Sequence, residues 1–356
     1  MFKSLCKWRL IHENPVSNEA KLIDVLLKNR NIIKEDDKTF FLDGDLLLHN
    51  PFLFKDMKKI CERIHTAIKK REKIMIYGDY DVDGITGVTI LFKTLRKFTE
   101  EVFYYIPDRF KEGYGPNMKA FKAFAENGFT LVITVDNGIG GIEEGKYLKE
   151  NGVDLIITDH HEAKGVLPVA FGILHPGLEN ETYPFKDLAG CGISFKLAEA
   201  LLGAVPKELI DLAGLGTYSD MVSLKDENRI FVKYGLSQMK NTVHLGLRIL
   251  IDALNIKTMD EYAWGFIIAP RLNSPGRMDN GSLSVRLLVS ESYEECRNIA
   301  EVIENLNRER KEIIETIITE AMAEVEKHDL DTYRVLVVHS PDWHEGVLGI
   351  VANRLI

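Results

Sequence analysis

The chain has 356 residues, with 45 Lys and Arg against 54 Asp and Glu, a formal net charge of −9, 45% hydrophobic residues and 28% charged ones. This is globular composition, long enough for two domains at roughly 100–200 residues each, and it excludes a mainly disordered or fibrous chain. The acidic balance speaks against coating nucleic acid through bulk charge, and no apolar run nears the roughly 18 residues that a membrane span needs.

At the start, Met1-Phe-Lys-Ser-Leu-Cys-Lys-Trp-Arg9 holds no apolar signal core. Cys6, Cys61, Cys191 and Cys296 are scattered without a Cys-x-x-Cys pair. Both features point to a cytoplasmic protein with reduced cysteines and no membrane contact. A helix is expected over 19–28. Residues 51–73 read as a helix with a basic, solvated side carrying Lys58, Lys59, Arg63, Lys69, Lys70, Arg71 and Lys73.

A strand–helix rhythm then begins. Short apolar runs at 73–77, 102–106, 131–135, 154–158 and 171–174 alternate with helical spacing over 85–98, 117–127 and 142–151. Such alternation predicts an α/β fold, a parallel sheet flanked by helices. Asn127-Gly128 and Asn151-Gly152 supply the left-handed residue that ends a helix. Residues 187–225 and 241–255 read as mostly helical, and 269–278 as a turn-rich loop. A long, charge-laced helix lies within 286–327, and a polar helix of that length suits a bridge between domains. A strand at 333–339 and a helix from 346 to 355 follow, too little to enclose a core, so they read as the start of a second α/β domain.

In an open parallel sheet, ligands bind beyond the carboxyl ends of the strands. After the first run comes Gly78-Asp79-Tyr80-Asp81-Val82-Asp83-Gly84, after the second Pro107-Asp108-Arg109, after the third Asp136-Asn137-Gly138, and after the fourth Asp159-His160-His161-Glu162. Carboxylates and imidazoles delivered to one sheet edge are costly to cluster without a cation. This donor set suits manganese or magnesium, and it is large enough for two divalent ions, a recurring device for phosphodiester hydrolysis. An EF-hand reading of Asp79–Gly84 fails, because the bidentate Glu it needs at the twelfth position is Ile90. Asp220 lies in the apolar stretch 215–222, where a buried Asp is paired, capping or a metal ligand. Arg109, Arg271 and Arg277 are candidates for phosphate contacts, with a structural salt bridge the alternative for each.

These motifs resemble those of the DHH phosphoesterase superfamily. Further stretches resemble its RecJ family of bacterial single-strand-specific DNA exonucleases: Lys7-Trp8, Tyr105-Ile-Pro-Asp-Arg-Phe-Lys-Glu-Gly-Tyr-Gly115, Leu188-Ala-Gly-Cys-Gly-Ile193, Leu212-Ala-Gly-Leu-Gly-Thr217 and Ala269-Pro-Arg-Leu-Asn273 with Gly276-Arg-Met278. The resemblance implies a 5′-to-3′ exonuclease on single-stranded DNA in recombination and repair, using two manganese or magnesium ions. It implies that Asp83, Asp136, His160 and Asp220 hold one ion. Asp81 and Asp136 hold the other, supported by Asp79. His161 faces the scissile phosphate as stabiliser or proton donor, and Arg109 and Arg277 lie near the 5′ phosphate or the strand.

It further implies an N-terminal segment 1–45, a DHH catalytic domain 46–285, a connecting helix 286–330 and an incomplete DHH-associated domain 331–356. A single-strand-binding protein and a helicase are the expected protein partners. The alternatives are a DHH phosphoesterase for short oligonucleotides or cyclic dinucleotides, and a non-catalytic scaffold that kept the fold.

Overall fold

The computed structural model describes residues 18–43 and 46–355. Cys6, Lys7 and Trp8 lie outside the described residues. The chain divides into two compact units, Leu48–Glu312 and a smaller one made of Met1–Leu47 with Ile313–Ile356.

In the smaller unit, helix α1 (Glu19–Asn29) starts where the Asn18 side chain accepts from the Lys21 amide, as an N-cap does. Helix α2 (Glu35–Asp43) returns Lys38 to Asp24 at 2.9 Å.

The larger unit opens with α3 (Met57–Lys70), whose buried Met57, Ile60, Cys61, Ile64 and Ala67 recur at helical spacing. Its lysines are exposed as expected. Arg63 is the exception, because it bridges Asp154 at 2.6 Å and Glu72 at 2.7 Å. The rhythm then follows as β1 (Lys73–Tyr77), α4 (Val82–Arg96), β2 (Val102–Tyr105), α5 (Met118–Glu126), β3 (Phe129–Val135), α6 (Ile142–Glu150), β4 (Asp154–Thr158) and β5 (Gly172–Leu174). All pairings are parallel, in the order β2-β1-β3-β4-β5.

Strands covered on both faces read as continuous apolar runs, and Ile74–Tyr77 and Leu131–Val135 are buried throughout. On one face Tyr77, Val132, Leu155 and Ile157 pack with Phe121, Phe124 and Leu148. The chain leaves β1 in one direction for β2 and in the other for β3, so a crevice opens beyond the carboxyl ends of β1 and β3.

Helices complete the unit: α7 (Gly190–Leu202), α8 (Ile210–Ser219), α9 (Asp226–Met239), α10 (Leu245–Ala253), a π-helical turn Ala263–Ile268, α11 (Ala269–Met278) and α12 (Ser282–Val289). Helix α4 packs on α7 and α8 and is buried on nearly every side.

Residues 269–278 are therefore a helix, not the expected turn-rich loop. Pro270 follows directly on the π-helical turn Ala263–Ile268, where the regular α ladder is already interrupted. Pro275 does interrupt the ladder, but Leu272, Ser274 and Gly276 are buried around it, so tertiary packing overrides local propensity.

Helix α13 (Tyr293–Lys327) is 35 residues long and runs from the larger unit into the smaller. It is not polar all round. Cys296, Ile299, Ile303, Asn307, Arg310, Ile314, Ile317 and Ala321 form a buried stripe at helical spacing. Beyond it, 333–339 is not a strand. Ladder bonds need a neighbouring strand, and Tyr333, Val335 and Val337 are instead exposed. Helix α14 (Leu348–Leu355) does form, with Val347 and Val351 buried and Trp343 Nε1 donating to Glu320 at 2.7 Å.

Candidate metal centre

Each acidic residue is placed by a local device at the sheet edge. Asp79 lies one glycine beyond the end of β1 and is 3% exposed. Asp81 is the N-cap of α4 and accepts from the Gly84 amide at 3.1 Å. The Val82 amide, also orphaned at that helix start, donates to Asn273 Oδ1 of α11 at 3.0 Å. Asp83 turns back across the crevice to the N-terminus of α7, where the Gly190 and Cys191 amides donate to its two oxygens at 2.7 and 2.8 Å.

Asp136 follows β3 and holds φ at +60°, an uncommon conformation for a residue with a side chain. Its neighbour must be small, because a Cβ at Gly190 would lie 2.6 Å from Asp136 Cβ. In the same way, a Cβ at Gly84 would lie 2.7 Å from the Asp79 carbonyl oxygen.

Beyond β4, Asp159 is almost fully buried and acts as an anchor. Its Oδ2 accepts from the Ile139 amide at 2.9 Å, and its Oδ1 from the His160 and His161 amides. His161 Nδ1 lies 2.8 Å from the same Oδ1. Burial raises the Asp159 pKa, but the bonds from His161 and the Ile139 amide outweigh it and leave the carboxyl below its ordinary value. The His161–Asp159 bond is also the first cause of a raised His161 pKa. A carboxylate oxygen only accepts, so Nδ1 carries a proton, and the same nitrogen lies 3.9 Å from Asp136 Oδ1.

The loop is held from behind by buried His175. Its Nδ1 accepts from the Gly177 amide at 3.1 Å, so its Nε2 donates to the His161 carbonyl at 2.7 Å. Neither His175 nor the anchoring role of Asp159 was legible in the sequence. His175 closes the β5 run, and that position was the only signal.

The chain thus brings Asp79, Asp81, Asp83, Asp136, His160, His161 and Asp220 together. Ligand atoms of Asp79, Asp81 and Asp136 lie within 4.8 Å of one another, as do those of Asp83, His160 and Asp220, and those of Asp136, His160 and His161. His160 Nε2 is 3.0 Å from Asp136 Oδ1, 3.6 Å from Asp83 Oδ2 and 3.7 Å from Asp220 Oδ2. Asp220 is not inside a helix. It caps the C-terminal end of α8, which points it into the cluster.

The electrostatics fit divalent cations. Burial, then the Asp81 charge, holds the Asp79 carboxyl well above its ordinary pKa; burial, then Asp83, does the same to Asp136. Asp81 is raised by burial and Asp83. Asp220 is pushed up to about 8 by burial, then by the charges of Asp83 and Asp81. Burial lowers the His160 pKa, which favours the neutral ring that a metal requires. Asp79 Oδ1 and Asp220 Oδ2 are buried without a hydrogen-bond partner. Orphaned acceptors inside a cluster of like charge are what a cation satisfies.

A fourth group, His49, Asp226 and Glu227, also has ligand atoms close together. It is already satisfied. Fully buried Glu227 accepts from Tyr183 at 2.5 Å and from the His49 amide at 3.0 Å, and pairs with buried Lys196 at 3.1 Å.

The three arginines part ways. The Arg109 guanidinium lies over the Tyr80 ring, 5.3 Å from its centroid. Arg277, half-buried, feels the charges of Arg109 and Asp81. Arg271 is a correction to the expected phosphate contact. Its guanidinium donates to Glu304 at 2.5 and 3.2 Å and to the Ile267 carbonyl at 2.8 Å, which is the structural salt bridge.

A cavity of about 720 Å³ opens beside His160 and His161, with Lys55 and Asn180 on its wall. No helix of the described residues is long and apolar enough to cross a membrane.

Residues 73–217 match the DHH family, N-terminal domain. The single-stranded-DNA-specific exonuclease RecJ of Bacillus subtilis (strain 168) is 46% identical over 93% of this chain. This chain spans 42% of that relative's length. Among solved structures, exonuclease RecJ bound to manganese aligns with a TM-score of 0.78 at 32% identity, over 87% of this chain and 78% of the other. RecJ in complex with Mn2+ from Thermus thermophilus aligns with a TM-score of 0.82 at 30% identity, over 94% of this chain and 48% of the other. Sequence and fold agree across nearly the whole chain, and the chain belongs to the RecJ family of DHH proteins.

Proposed function

We propose that this protein is a two-metal-dependent phosphodiester hydrolase that removes nucleotides from the 5′ end of single-stranded DNA. The observation that carries the reading is Asp136. Its carboxylate stands in the group with Asp79 and Asp81 and also in the group with His160 and His161, as a ligand shared by two ions would. Asp83, His160 and Asp220 complete one ion's donors; Asp79 and Asp81 complete the other's. The relatives solved with manganese and with magnesium support these two metals. When bound, such ions lower the pKa of a water and neutralise charge on a phosphate.

The chain's own residues do the rest. The α7 amides fix Asp83, and the α4 cap fixes Asp81. Asp159 keeps His161 Nδ1 protonated and holds the ring beside Asp136, where it stabilises phosphate charge or protonates the leaving oxygen. Arg109 and Arg277 grip phosphate. Arg271 is left out, because Glu304 already holds its guanidinium.

On family membership alone, we extend this to recombination and repair in the cytoplasm, with a single-strand-binding protein and a helicase as partners. We likewise assign 46–285 to catalysis, 286–330 to a connecting helix and 331–356 to the start of the DHH-associated domain. The test is a length series of 5′-labelled single strands with manganese. Mononucleotide release from long strands is expected; preference for dinucleotides or cyclic dinucleotides would overturn the reading.

A further inference from the structure

Apart from Arg277, the residues of α11 have no task in the proposed chemistry, yet one of them reaches the start of α4. Asn273 Oδ1 accepts from the Val82 amide at 3.0 Å, across 191 residues of chain. Val82 opens α4, and the Asp81 carboxylate caps that helix on the Gly84 amide at 3.1 Å. An N-cap side chain reaches the second or third amide of its helix, not the first. Asn273 therefore supplies the acceptor that Asp81 cannot.

That amide belongs to the peptide joining Asp81 to Val82. The carbonyl oxygen of the same peptide accepts from the Ile85 amide at 2.8 Å. One planar unit is thus held at both ends, by α4 from within and by α11 from outside, and the Asp81 side chain springs from it. Helix α11 is fitted closely enough to do this. A Cβ at Gly276 would lie 2.5 Å from the Tyr80 carbonyl oxygen, and one at Gly281 would lie 3.1 Å from Tyr80 Cβ. Behind the contact, Ser284 Oγ donates to the Leu272 carbonyl at 2.7 Å, and Arg271 is anchored on Glu304. The acceptor is also neutral. An aspartate at 273 would accept equally well, but it would add a like charge beside Asp81.

We infer that Asn273 is a positioning residue for the ion assigned to Asp79 and Asp81: by holding the Asp81–Val82 peptide, it fixes where the Asp81 carboxylate enters the crevice. The inference rests on the two-ion reading of the site, and it adds a determinant of metal affinity that is itself no ligand. Without Asn273, the orphaned Val82 amide competes with the ion for a nearby carboxylate oxygen. The group of Asp83, His160 and Asp220 has its own support, because the Gly190 and Cys191 amides hold Asp83. Its ion should not feel the loss.

The experiment is a calorimetric titration of manganese into the metal-free protein, with a thermal melt in chelator beside it. Asn273→Ala should weaken one of the two manganese sites about tenfold, the low end for losing a partner of a metal ligand, and leave the other unchanged. In an Asp81→Asn background the same change should have no further effect, which identifies the weakened site. Asn273→Asp keeps an oxygen for the Val82 amide and should restore the affinity, while its added charge lowers the metal-free melting temperature. Gly276→Ala keeps Asn273 but pushes α11 off Tyr80, so it should weaken the same site, and it replaces Asn273→Ala as the test if that variant does not fold. A lower melting temperature with both affinities unchanged would make Asn273 a helix cap and nothing more. Equal weakening of both sites, or no rescue by Asn273→Asp, would also overturn the inference. If wild type binds one manganese only, the two-ion reading falls, and the positioning role stands only if Asn273→Ala weakens that ion and Asn273→Asp restores it. If wild type binds two but releases no nucleotide from single strands, the exonuclease reading falls and this one stands.

Discussion

His160 Nε2 lies 3.0 Å from Asp136 Oδ1, joining two residues that follow adjacent strands, β4 and β3. Because β3 and β4 pair in parallel, both strand ends reach the same edge, and this one contact ties the two donor groups together.

The contact predicts the cost of losing Asp136. Asp136→Asn should lower manganese-dependent hydrolysis by ~10²–10³-fold, the range for deleting one charge-stabilising group. The same change should raise the melting temperature of the metal-free chain. It removes one of several crowded buried charges, and Asn tolerates the +60° φ. A thermal melt in chelator would read it, and a lower melting temperature would show that Asp136 is structurally needed.

Metal-free stability should depend on pH with a definite sign. The folded-state pKa values of Asp79, Asp81, Asp136 and Asp220 are raised, so in the window above the ordinary carboxylate range the folded chain binds more protons than the unfolded. Stability from these groups is present below that window and falls as pH rises to about 8, the value for Asp220. Glu72 and Asp159, both lowered, act oppositely at the acid end. Melting temperatures from about pH 5 to about pH 8 should fall in chelator, less so in Asp220→Asn and in saturating manganese.

Asp159 sets the charge of His161. Asp159→Asn keeps an oxygen that can accept from His161 Nδ1 but removes the negative charge that makes this bond the leading cause of the raised His161 pKa. If His161 works protonated, the alkaline limb of the kcat–pH profile should move to lower pH. An unmoved limb would separate His161 from that ionisation.

The arginines should split. Arg109→Ala should raise KM for a 5′-phosphorylated strand about tenfold, a loss typical of a charge-assisted hydrogen bond. Arg271→Ala should chiefly lower thermal stability, since it strands Glu304 and the Ile267 carbonyl. A KM effect from Arg271 as large as that from Arg109 would reverse the assignment.

Lys196→Met leaves buried Glu227 without its cation. The expected cost is about 3 kcal/mol, visible as a lower denaturant midpoint at constant m-value.

The sequence by itself determined the alternation of elements and the acidic edge. Apolar runs read as strands at 73–77 and 154–158 without correction, and Gly128 and Gly152 do hold positive φ at the helix ends. Local periodicity and turn chemistry are enough for that, because each depends on near neighbours along the chain. The same holds for the acidic motifs, since strand direction alone sends them to one edge.

Tertiary structure decided everything set by partners distant in sequence. Residues 269–278 became a helix because buried packing outweighs two prolines. Residues 333–339 did not become a strand because a strand exists only with a neighbour. Arg271 was taken by Glu304, 33 residues away, and Asp83 by amides 107 and 108 residues away. Tyr114, at the end of a recognisable motif, meets His161 across 47 residues, a closeness that no spacing along the chain encodes.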